Sequence, residues 1–137
     1  MPVSIDPTPE SFSALKRDVP PDTPVVMLNL LRFMEEAAYP PGSEHSPCTG
    51  REAYARYSAH AHAAVAEAGG SLVWSGSALS HPIAPPGERW DEILLVRYPS
   101  IDAFLGMVMA PDYQKESIHR TAALADSRLV CMQQAGT

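Results

Sequence analysis

Residues 25–33 read Val25-Val26-Met27-Leu28-Asn29-Leu30-Leu31-Arg32-Phe33, a run broken only by one amide and one guanidinium. It is rich in β-branched and large apolar side chains, free of Gly and Pro, and too short for a helix of ordinary length, so it predicts a strand. Its near-continuous apolarity predicts burial on both faces. Asn29 stands out, because a buried amide left without hydrogen bonds costs about 1–3 kcal/mol. Either it anchors a ligand between sheet and helices, or it bonds structurally to a neighbouring loop. Arg32, of opposite parity, is expected at the solvent-facing end.

Upstream, Asp6-Pro7-Thr8-Pro9 reads as a turn into a helix, with Thr8 as N-cap and Pro9 in the first position; Phe12, Leu15 and Val19 follow at helical spacing until Pro20-Pro21. Downstream, Glu35 to Cys48 carries Pro40-Pro41-Gly42 and Pro47 and predicts a long irregular loop, able to reshape a pocket. Thr49-Gly50-Arg51-Glu52 has the capping-box pattern, which starts a helix striped by Ala53, Tyr57, Ala61, Ala64, Val65 and Ala68. Gly69-Gly70 ends it.

A second strand lies within Ser71–Ala84 and a third over Trp90–Tyr98, joined through Pro85-Pro86-Gly87 as a hairpin. Ser100 caps a further helix, Pro111 restarts it for Tyr113–Asp126, and a last strand runs from about Arg128 to Gln133. The order helix, β, α, β, β, α, α, β predicts an α+β, ferredoxin-like split β-α-β domain: a four-stranded antiparallel sheet with helices on one face. One domain spans 1–137, with 1–23 as N-terminal helix and linker and 24–134 as the core. The sheet's other face needs a cover, which predicts a homodimer; the N-terminal helix is the alternative cover.

Sixteen acidic against ten basic residues give a net charge of −6, a field that repels nucleic acid and anionic membranes. Met1 to Phe12 lacks the basic-then-apolar order of a signal peptide, and no apolar run approaches the roughly 20 residues of a membrane span, so a cytoplasmic protein is expected. Cys48 and Cys131 are too few for a disulfide framework and read as free thiols. The six methionines, Met1 among them, read as fillers of core gaps.

The candidate catalytic residues are His60, Tyr57 and Asn29. His60 lies one turn from Tyr57 and Arg56, and imidazole titrates near neutrality while a phenol polarises a carbonyl; the same residues also suit the boundary of an amphipathic helix. Trp74, Arg120 and Arg56 are candidate ligand contacts. Against this, tryptophans are mostly core and interface residues, and Glu116 one turn before Arg120 offers it a plain surface pair. His60 and His62 sit two apart on a helix and point to different sides, and neither Cys-x-x-Cys nor His-Glu-x-x-His occurs, so no metal is expected. Nucleophile elbows and phosphate-binding glycine loops are also missing.

Met27 to Phe33, Tyr54, Tyr57, Gly69-Gly70, Trp90-Asp91, Tyr98-Pro99-Ser100 and Pro111-Asp112-Tyr113 together resemble the domain-of-unknown-function 1330 family, over roughly Val25 to Val130. The resemblance implies the architecture of the dimeric α+β barrels, among which are cofactor-free monooxygenases, muconolactone isomerases, EthD-like proteins and haem-dependent enzymes. It supplies no catalytic residues for these positions. The resulting expectation is a small-molecule-acting protein, an isomerase-like or monooxygenase-like enzyme needing no cofactor, with its pocket between sheet and helices. The alternative is a non-catalytic ligand-binding or regulatory dimer.

Overall fold

In the computed structural model, which describes residues 3–135, strand β1 (Val25–Phe33) buries alternate residues. Val25, Met27, Leu31 and Phe33 are buried, while Val26, Leu28 and Leu30 are only half-buried. Within the single chain burial is confined to the odd-numbered face, because every helix packs there. Met1 and the last two residues lie outside the described part.

The remaining elements are α1 (Pro9–Asp18), α2 (Gly50–Glu67), β2 (Ser71–Ser77), β3 (Glu92–Tyr98), α3 (Ile101–Met109), α4 (Pro111–Ala123) and β4 (Leu124–Met132). The sheet runs β2-β3-β1-β4 with all neighbours antiparallel, which is the ferredoxin-like arrangement. Helix starts follow local chemistry. Thr8 accepts from the Ser11 N–H with Pro9 behind it, Ser100 accepts from the Ala103 N–H, and Thr49 and Glu52 close a reciprocal box at 3.1 and 2.9 Å. No described helix is long and apolar enough to cross a membrane.

Three boundaries differ from the sequence reading. β4 begins at Leu124, not Arg128, because the Ala122 and Ala123 carbonyls accept from Ala38 and Met34 at 2.8 Å and the chain then extends to pair with Arg32 and Phe33. β3 begins at Glu92, since the Trp90 side chain is buried and its backbone N–H donates to His81 Nε2 at 3.0 Å. The 34–48 segment folds against α2 and α4 instead of reaching the pocket, through Ala37 N–H to the Cys48 carbonyl and Ala38 N–H to the Ala122 carbonyl.

Helix α1 lays Phe12, Leu15 and Val19 against the helix-side core, so it leaves the sheet's outer face open. Across that face Trp74, Leu95, Leu28 and Val130 stand in register as one apolar row spanning all four strands. Trp74 and Val130 are 53% and 47% exposed, so the row meets solvent in the single chain.

Candidate ligand cleft

The core on the helix side is divided. One cluster gathers Val25, Met27, Tyr98 and the apolar face of α3; the other gathers Leu31, Phe33, Tyr54, Tyr57 and Ala123. Asn29 lies on β1 between them, paired with Leu94 on one side and Leu129 on the other. Above this gap α2 presents Ser58 and Ala61, side chains too small to fill it, and a cleft of about 1730 Å³ opens between sheet and helices. Its floor includes Leu94 and Leu129, its roof Tyr54, Tyr57 and Tyr113. Leu72 and Leu129, which face it, are each 45% exposed, so its apolar walls are reachable from outside.

Asn29 donates one hydrogen bond, from Nδ2 to its own strand's Met27 carbonyl at 3.2 Å. No buried side-chain nitrogen or oxygen among the described residues lacks a partner, so the remaining capacity of this amide is open to the cleft. The Tyr57 and Tyr113 hydroxyls are hydrogen-bonded to each other. Burial raises the Tyr57 phenol well above its ordinary range, and neighbouring Tyr113 adds to this; burial does the same to Tyr54. Both stay protonated donors across the neutral range. Arg120 opposes both shifts, which places its positive charge beside this tyrosine group. Its Nη1 donates to the Ile5 carbonyl at 2.6 Å.

That bond belongs to a strap at the mouth of the cleft. Ser4 N–H donates to Asp126 at 2.9 Å, Ser127 Oγ donates to the Ser4 carbonyl at 2.7 Å, and Thr121 Oγ1 donates to Asp6 at 2.8 Å. Burial of Asp126 works against its ionisation, but Ser4, Arg128 and Ser127 together hold it below the usual carboxylate range. Asp126 thus remains an anionic post for the strap.

Of the residues singled out in the sequence, Asn29, Tyr57 and Arg120 line the cleft. His60 does not, whereas His62 does, because the lining residues of α2 follow the stripe through Tyr54, Tyr57, Ser58, Ala61 and Val65. Trp74 lies over Gly76 on the outer face and takes no part in the cleft. Arg120 bonds the strap and makes no pair with Glu116. Tyr54 and Tyr113 were missed as site residues; the first stands one turn before Tyr57 and was legible from that spacing, while the second gave no local signal.

Arg56 serves a second polar cluster, on the side of α2 away from the cleft. Its Nη1 donates to the Tyr39 hydroxyl at 3.1 Å and to the Ser46 carbonyl at 3.3 Å. The same Tyr39 hydroxyl is hydrogen-bonded to His119 Nδ1 at 2.7 Å. The His119 Nε2 lies 3.4 Å from Glu116, and the His45 ring meets His119 edge-on at 4.5 Å between centroids. Burial lowers the His119 pKa, His45 and Arg56 lower it further, and Glu116 only partly offsets them. Among the described residues no group of three His, Cys, Asp or Glu side chains is placed to hold a metal.

A family model described as "Domain of unknown function (DUF1330)" matches residues 44–135, two-thirds of the chain. The chain belongs to the DUF1330 family. The match begins before α2 and runs through β4, so it leaves β1 with Asn29 and the strap outside. These parts of the DUF1330 chain are covered by a structural likeness instead. A protein of unknown function from Rhodopseudomonas palustris superimposes with a TM-score of 0.90 at 36% identity, over 99% of this chain and 100% of that one. The same protein in methylated form gives 0.91 at 38%, over 99% and 98%. A hydroxynitrile lyase from Passiflora edulis shares the fold at 13% identity and a TM-score of 0.56, covering 85% of this chain and 98% of its own. No functionally curated protein matches.

Proposed function

We propose that this DUF1330 protein acts on a small organic molecule held in the cleft, polarising a carbonyl or hydroxyl oxygen without a cofactor. The observation that carries this reading is that Asn29, Arg120 and the hydrogen-bonded pair Tyr57 and Tyr113 line one apolar-walled opening. Neutral hydroxyl donors beside a fixed cation stabilise negative charge developing on an oxygen, the demand common to enolisation, isomerisation and carbanion oxygenation. Two groups able to exchange a proton, Glu92 on β3 and His62 on α2, line the same space. His60, set off the lining stripe, has no such access in one chain. The fold also occurs in a cofactor-independent oxygenase from Streptomyces nogalater, at 14% identity and a TM-score of 0.53, a likeness of architecture alone.

A thermal-shift screen against small aromatic, carboxylate and lactone compounds tests this. A ligand at a hundredfold excess over its Kd stabilises the fold by about 2.7 kcal/mol, enough to move the midpoint by several degrees. The expected result is a stabilising compound whose effect falls in Asn29→Ala and Tyr57→Phe. Silence across the library, or a shift indifferent to both substitutions, overturns the reading.

The outer row of Trp74, Leu95, Leu28 and Val130 supports a homodimer formed sheet against sheet, since monomers rarely leave so continuous an apolar surface in water. The free thiols of Cys48 and Cys131 suit a reducing compartment, the cytoplasm.

A further inference from the structure

Resting on the cleft reading above, we propose that the cleft selects small organic carboxylates with an apolar body, gripped by Arg120. A guanidinium carries five N–H donors. In the structure Arg120 spends one, on the Ile5 carbonyl, and no carboxylate of the described residues lies within 4 Å of it. Three other arginines hold polar partners: Arg128 meets Asp126 at 2.7 Å, Arg17 meets Asp18 at 3.0 Å, and Arg56 bonds Tyr39 and Ser46; what sets Arg120 apart is its place in the cleft lining beside the buried tyrosines. Arg120 is half-buried, and a partly desolvated cation without a counter-ion is costly unless one arrives with the ligand.

The two acids nearby are otherwise engaged or distant. Asp6 accepts from Thr121 at 2.8 Å, and Glu92 acts on Tyr54 while standing beyond ion-pair range of Arg120. The unused guanidinium edge therefore offers paired donors suited to the two oxygens of a carboxylate. Leu94 and Leu129 on the floor and the Tyr54 ring on the roof are left for the apolar body. Asn29, on the floor, takes a second oxygen of the ligand.

The test is a calorimetric titration of the full chain with matched pairs, phenylacetate against phenylacetamide and benzoate against benzamide, with neutral lactones alongside. Carboxylates are expected to bind about tenfold to a hundredfold more tightly than their amides, the range for charge-assisted hydrogen bonds. Arg120→Gln should erase that preference and Arg120→Lys should keep part of it. Because Arg120 also holds the strap, Asp126→Ala, which releases the strap at another point, serves as control and should retain the preference. Equal binding of acids and amides, or binding of lactones alone, refutes the carboxylate assignment and leaves the cleft reading standing. If no compound of any class binds, both fail.

Discussion

Gly50→Ala should destabilise the protein far more than an added methyl at the start of a helix suggests. A Cβ at Gly50 would lie 2.2 Å from the Met34 carbonyl oxygen, 2.7 Å from that of Ala123 and 2.8 Å from the Met34 nitrogen. All three are backbone atoms, so no rotamer change relieves the clash; ordinary contact begins at 3.4 Å. The movement must break the bonds that join β1, α2 and α4 here, Met34 N–H to the Ala123 carbonyl at 2.8 Å and Gly50 N–H to the Met34 carbonyl at 3.2 Å. Two hydrogen bonds at about 1 kcal/mol each and overpacking of about 1–3 kcal/mol, offset by up to about 1 kcal/mol of better helix propensity, leave a net loss of about 2–5 kcal/mol. That is a large share of a typical total stability of about 5–15 kcal/mol. Urea unfolding, read as a shift in midpoint at unchanged slope, measures it. A loss below about 1 kcal/mol would refute the reasoning, because the packing there would then be yielding. Since α2 carries Tyr54 and Tyr57, weaker ligand binding should accompany the loss.

Thr49→Ala removes the hydroxyl arm of the capping box, leaving the backbone N–H of residue 49 its bond to Glu52, and should cost about 1 kcal/mol in the same assay; a neutral result would show that water replaces the lost arm. His119 binds its proton less readily in the folded chain than an unfolded histidine does, so its contribution is complete above about pH 6.5 and is lost as pH falls below that value. The stability gap between the wild type and His119→Gln should therefore narrow as pH falls from about 7.5 through about 6.5 and below, and a constant gap would refute the idea that burial, His45 and Arg56 disfavour its protonation. Leu28→Arg on the outer face should halve the mass seen by light scattering while far-UV circular dichroism stays unchanged; an unaltered mass would place any dimer contact elsewhere.

Most of the fold was legible because local and global signals agree. Thr8, Thr49 and Ser100 announce their helices through backbone chemistry that needs no tertiary partner. The open face of β1 was not legible, since its even and odd residues are almost equally apolar and periodicity cannot say which side the helices choose. The start of β4 was hidden for another reason: Leu124 leaves the helix to pair with Phe33, a decision made by residues far upstream. Within the site, Asn29 announced itself by polarity in an apolar strand. The meeting of Tyr57 with Tyr113, and of Tyr39 with His119, is created by topology and has no trace in sequence spacing.

The strap at the mouth of the cleft carries a consequence for how the molecule comes into being. Ser4, Ile5 and Asp6 are tied to partners 115 to 123 positions further along the chain. This segment therefore stays unfastened until α4 and β4 have been made and folded, because its hydrogen-bond partners lie there. β4 supplies Leu129 and Cys131 to the cleft lining as well as the strap's partners, so a chain lacking β4 has no finished cleft to offer.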